Sequence, residues 1–98
     1  MADVFFNRDE PVAIMTENLR VLRNKLGFSQ EELAEKIGVC RHTLVSIEKK
    51  NREMSWNKFV ALIAVFRADS GTSALLDHFG IYTEELSNYL VSRENTNT

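Results

Sequence analysis

Apolar residues return along this chain at intervals of three and four, with no stretch of strict alternation, so the pattern predicts helices throughout. Val12, Met15, Leu19, Leu22 and Leu26 recur at spacings of 3, 4, 3 and 4, the stripe of a helix buried on one face. Pro11 suits its first turn, where a missing N–H costs nothing, and Gly27 ends it. Ser29 is a good N-cap for a second helix, with Glu31 and Glu32 at the positive end of its dipole. Leu33, Ala34 and Ile37 make a short stripe closed by Gly38. After only Gly38-Val39-Cys40 the pattern resumes at Arg41, with Leu44 and Ile47 inward and Arg41, His42, Val45, Ser46 and Lys49 on the other faces. A polar, mostly basic link from Lys49 to Glu53 leads to Ser55, which caps a helix from about Trp56 to Arg67. The apolar residues of that helix are dense enough for burial on most sides. Asp69-Ser70-Gly71-Thr72 reads as a turn, Ser73 to Phe79 as a short helix stopped by Gly80, and Thr83 as the cap of a last helix from Glu84 to about Val91. Residues 92–98 read as a frayed polar tail.

Length and composition narrow the function. Ninety-eight residues fit one small domain spanning 1–98. The longest apolar run, Phe59 to Phe66, has eight residues where a membrane span needs about 20. The first ten residues carry acidic groups and no basic-then-apolar signal region, so a cytoplasmic protein without a membrane is expected. Cys40 stands alone, which excludes an intramolecular disulfide and a Cys-rich zinc site. His42 and His78 do not make up a metal set, and no cofactor is expected. No pattern of nucleophile, base and orienting group, no phosphate loop and no carboxylate pair stands out, so an enzyme is not expected.

The net charge of −2 hides a distribution: residues 1–19 carry net −3, residues 20–58 net +4, and residues 59–98 net −3. A basic middle between acidic ends can turn one face toward phosphates, although a salt-bridged solvated surface gives a similar count.

Two short helices joined by three residues have the layout of a helix-turn-helix. The run Leu19-Arg20-Val21-Leu22-Arg23, the block Phe28-Ser29-Gln30-Glu31-Glu32-Leu33-Ala34 through Gly38-Val39, and Thr43-Leu44-Val45-Ser46-Ile47-Glu48 follow one another. Together they closely resemble the phage-repressor and Cro-like helix-turn-helix family, also called the Xre family, over about residues 15–68. The resemblance implies an all-α, five-helix lambda-repressor-like DNA-binding domain at 11–68; beyond the resemblance the helical pattern adds a C-terminal extension at 69–91. It also implies a transcriptional regulator, usually dimeric, on a short palindromic site in double-stranded DNA. Its reading helix begins at Arg41, and Arg41, His42, Thr43 and Ser46 match the base-reading places. Arg41 can donate two hydrogen bonds to guanine O6 and N7. Gln30 matches a phosphate contact that also braces the first residue of the reading helix. Lys49, Lys50, Asn51 and Arg52 follow that helix as further phosphate contacts, with Lys25 a weaker one. Arg23 and Glu48 match an ion pair inside the domain.

The chain departs from the family at Lys50 and Met54, where Gly and Pro are usual; Asn51 tolerates the left-handed conformation and can supply the turn. Cys40 stands at an N-cap place where Ser is common, and is read as a half-buried structural residue ahead of a redox-sensitive one. Leu75, Leu76, Phe79, Tyr82, Leu86, Tyr89 and Leu90 need a covering surface. They can pack on their own domain or form a homodimer interface, in which some dimer contribution is favoured and Val4, Phe5 and Phe6 can join. A repressor or autoregulator is the leading reading. The alternative is an antitoxin or adaptor module of the same fold, with a protein partner held by the C-terminal helices.

Overall fold

The computed structural model describes residues 6–92, which form six helices in the order α1 (Asp9–Leu26), α2 (Gln30–Ile37), α3 (Arg41–Glu48), α4 (Trp56–Arg67), α5 (Ser70–Phe79) and α6 (Glu84–Leu90). Among the described residues there is no strand. The tail expected at 92–98, beyond Ser92, lies outside the described residues, as do Val4 and Phe5.

Local chemistry sets most of the boundaries. Helix α1 starts two residues before Pro11, with Asp9 and Glu10 against the positive end of its dipole. Ser29 and Glu32 close a capping box on α2: the Glu32 N–H donates to Ser29 Oγ at 3.0 Å, and the Ser29 N–H to Glu32 Oε1 at 2.7 Å. The hydroxyls of Ser55 and Thr83 cap α4 and α6. Helix α5 begins three residues earlier than the sequence pattern predicts, because the Asp69 carboxylate accepts the Thr72 N–H at 3.0 Å and turns the expected loop into a first helical turn. Gly71 is not a breaker there. It lets the α1 side chain of Lys25 run close over α5, where an added Cβ would come within 3.2 Å of Lys25 Cε.

Gly38 ends α2 with φ 79°, and its N–H and that of Val39 close back onto Glu35 and Ala34. The same closure ends α3, where the N–H groups of Lys50 and Asn51 return to Ile47 and Ser46. Its left-handed residue is Lys50, with φ 65°, and not the expected Asn51. A side chain in that conformation costs roughly 1–2 kcal/mol, and an exposed ion pair from Lys50 Nζ to Glu17 Oε1 at 2.8 Å returns only a small part. Lys50→Gly should therefore raise stability by about 1 kcal/mol, visible as a higher urea midpoint at unchanged slope.

One core holds the helices together. Met15, Leu19 and Leu22 of α1, Leu33 of α2, Leu44 and Ile47 of α3, and Phe59, Leu62 and Phe66 of α4 are all fully buried in it. So are Leu76 of α5, Ile81 of the α5–α6 turn and Leu86 of α6. This corrects the assignment of Leu76 and Leu86 to a dimer interface: their side chains are spent within the protomer. Leu75, Phe79 and Tyr82 are half-buried against the same core, which leaves Leu90 and, beside it, Val91 as exposed apolar residues at this end. An aromatic clasp secures α6. Tyr89 stacks on Phe6 with ring centroids 4.7 Å apart, and its hydroxyl accepts from Nε and Nη2 of Arg8 at 3.0 and 2.7 Å. The Arg8 guanidinium also lies 4.6 Å from the ring of Trp56, which stacks on Phe59.

Candidate nucleic-acid interface

Helices α2 and α3 pack against one another, and α3 also packs on α1. The short α3 buries Thr43, Leu44, Ile47 and Glu48, a stripe four positions wide, because two neighbours cover it. Arg41 and His42 stay exposed at its start, and Val45 and Ser46 are half-buried. Thr43 does not share the open face. It is only 9% exposed, and its Oγ1 lies 3.2 Å from Cys40 Sγ. Cys40 itself is exposed, not half-buried, and gives α3 no side-chain cap. The hydrogen bond with the Thr43 hydroxyl holds its thiol below the ordinary cysteine range. Arg41 places a cation in the first turn of an uncapped helix, against the dipole. A helix start of that kind is relieved by an anion or by acceptor groups brought from outside.

Beneath this face lies a charged clamp. Glu48, with no side-chain exposure, accepts Arg23 Nε on Oε2 at 2.7 Å and Arg23 Nη2 on Oε1 at 3.2 Å. Arg23 Nη1 donates to the Phe28 carbonyl at 2.9 Å, so a single side chain ties α1, the α1–α2 turn and α3. Gln30 Nε2 donates to Glu48 Oε1 at 3.0 Å. Burial pushes the Glu48 carboxyl up, but the hydrogen bonds from Arg23 and Gln30 and the charges of Arg23 and Arg20 outweigh it and hold the group below the usual carboxylate range. Gln30 thus braces the last residue of α3, where the sequence reading put the brace at Arg41. The reason is the buried carboxylate, which offers a stronger acceptor than anything at the start of α3.

A helix-turn-helix family profile (HTH_3) matches residues 19–67, half the chain. The chain belongs to the helix-turn-helix family. An uncharacterized HTH-type transcriptional regulator of Archaeoglobus fulgidus is 41% identical over 54 residues, which are 55% of this chain and 77% of that protein. Another uncharacterized HTH-type transcriptional regulator, of Methanothermobacter thermautotrophicus, is 52% identical over 31 residues, 32% of this chain and 45% of its own length. No solved structure gives a match. The helix-turn-helix family is one of DNA-binding transcriptional regulators, in agreement with the all-helical fold and the open start of α3.

In this helix-turn-helix protein Lys49, Lys50, Asn51 and Arg52 are all exposed on the link after α3. Lys50 is held by Glu17 of α1, a pairing across 33 positions that nothing local in the sequence announces. Lys25 is exposed and its stem runs over Gly71. Sequence reasoning also missed Arg20, whose Nε stands 3.8 Å from Glu48 Oε1. Its place three residues before Arg23, on the same side of α1, is the signal that could have found it. Among the described residues no three His, Cys, Asp or Glu side chains come together in a way that could hold a metal ion, and no helix is long and apolar enough to cross a membrane.

Proposed function

We propose that this protein is a non-catalytic, cytoplasmic, sequence-specific DNA-binding regulator, acting as a homodimeric repressor or autoregulator on a short palindromic operator. The observation that carries the reading is the start of α3, where Arg41 and His42 project uncovered from a helix that a buried clamp fixes against α1 and α2. Set in the major groove, such a helix puts its first residues against base edges. Arg41 supplies a bidentate contact to guanine, and His42 and the hydroxyl of Ser46 supply single ones. Thr43, buried beside Cys40, acts by holding the helix start in place and does not read a base. Gln30, Lys49, Lys50, Asn51 and Arg52 take phosphates, setting affinity more than preference. Two copies would place their reading helices about one DNA turn apart, roughly 34–36 Å, and Leu90 and Val91, exposed together at the end of α6, offer an apolar surface to join them.

The test is selection of bound sequences from a random DNA pool at physiological salt, followed by titration of the Arg41→Ala/Ser46→Ala double variant. Loss of discrimination in a variant that melts like the parent is the expected result, with each bidentate contact worth about 1–3 kcal/mol. Unchanged preference in the double variant would remove α3 from the reading role. Absence of DNA binding together with a stoichiometric protein partner would favour the antitoxin or adaptor reading instead.

A further inference from the structure

The Glu48 clamp contains one carboxylate and two guanidinium groups, and the two are not equivalent. Arg23 engages both carboxylate oxygens at hydrogen-bond distance and has only 12% of its side chain exposed. Arg20 reaches Oε1 alone, through Nε at 3.8 Å, and keeps 63% of its side chain exposed. The single negative charge is therefore spent on Arg23, and the positive charge of Arg20 is oriented by the pair without being neutralised by it. Its surroundings fix what this charge faces. Gln30 Nε2 shares Glu48 Oε1 with it, and Glu17, one turn earlier on α1, binds Lys50. Gln30 and Arg20 thus meet at Glu48 Oε1, and Lys50 is tied to the neighbouring turn of α1 through Glu17.

We infer that Arg20 is a DNA-backbone contact: a guanidinium prepositioned by Glu48 to take a phosphodiester oxygen between the phosphates met by Gln30 and by the Lys50 link. This rests on the DNA-binding reading and extends it to α1, outside the helix-turn-helix proper. A phosphate there completes the charge balance that Glu48 leaves open. A guanidinium already held by a carboxylate has fewer conformers to lose on binding than a free surface arginine.

The experiment measures binding of the full chain to its selected DNA and to random-sequence DNA between 50 and 200 mM salt, for the parent, Arg20→Ala and Arg20→Lys. A bound dimer carries this residue twice, so losing both phosphate contacts makes the slope of log affinity against log salt shallower by about 1.8. Over that fourfold salt range this amounts to a difference of about 12-fold in how much affinity is lost. Arg20→Ala is expected to show this change equally on both DNAs, and Arg20→Lys to restore the slope. Circular dichroism and the urea midpoint establish that the variants are folded. A merely structural role would shift the urea midpoint and leave the slope alone. A parental slope in folded Arg20→Ala overturns the assignment while leaving the DNA-binding reading intact. A parent chain without salt-dependent DNA binding overturns both.

Discussion

Glu48→Ala is expected to lower folding stability by about 3–5 kcal/mol, the cost of leaving Arg23 as a lone buried cation. Domains of this size have about 5–15 kcal/mol in total, so the variant should sit near the edge of folding at 37 °C. The effect is large because the carboxylate has no exposure and meets groups from α1 and α2 at once. Arg23→Ala should be comparably severe, since it strands the carboxylate instead. The same clamp predicts a pH dependence. The carboxyl is held below the usual range in the folded protein, so its contribution is complete above the unfolded value of about 4.3. It is lost as pH falls through the lower folded value. Urea unfolding from pH 7 downward should show this loss in the parent, and Glu48→Gln should lack that share of the acid dependence. Parental stability of Glu48→Ala at pH 7 would mean that the clamp is not load-carrying.

Leu86→Ala should cost about 2–5 kcal/mol, the range for emptying a fully buried leucine site. The prediction also separates two roles for α6. Leu86 has no exposure within the protomer, so the loss should be the same at low and high protein concentration. If α6 were held only by a second copy, the loss would instead vary with concentration. Leu90→Ser, at an exposed position of the same helix, should leave the protomer itself within about 0.5 kcal/mol and act instead on the pairing of copies, as a loss that grows on dilution. A concentration-dependent loss for Leu86→Ala would return this residue to the interface between copies.

These two cases show what a linear sequence discloses. Boundaries set by neighbours in the chain were legible, because Ser29, Ser55 and Thr83 cap their own helices through residues three positions on. The start of α5 was not, because Asp69-Ser70-Gly71-Thr72 reads as a turn by composition, whereas the Asp69 carboxylate caps it into a first helical turn. Residue preference likewise favoured Asn51 for the left-handed position, whereas the hydrogen bonds closing α3 place Lys50 there. Apolar count alone could say that Leu76 and Leu86 needed cover, but not whose. On the site, periodicity found the exposed Arg41 and His42. It could not show that Thr43 is covered, since an eight-residue helix wedged between two others buries more than one narrow stripe.

The places where local rules are broken fall together. An uncapped start, a cation in the first turn and a lysine in a left-handed conformation all belong to α3 and its end. Helices α2, α4, α5 and α6 carry side-chain caps, and α1, which lacks one, has Asp9 and Glu10 in its first turn; the concentration of local conflict at α3 is expected where a surface is shaped for a partner.

The clasp between Arg8 and Tyr89 joins positions 81 apart, which orders events in time as well as in space. On a growing chain Phe6 and Arg8 emerge well before Tyr89, while the groups of the Glu48 clamp are all present once residue 48 is made. The core beneath α3 also draws on Phe59, Leu62 and Phe66 of α4 and Leu76 of α5, so it waits for those helices. The aromatic clasp, which needs Tyr89 as well, closes later still, a seal drawn over a core already assembled.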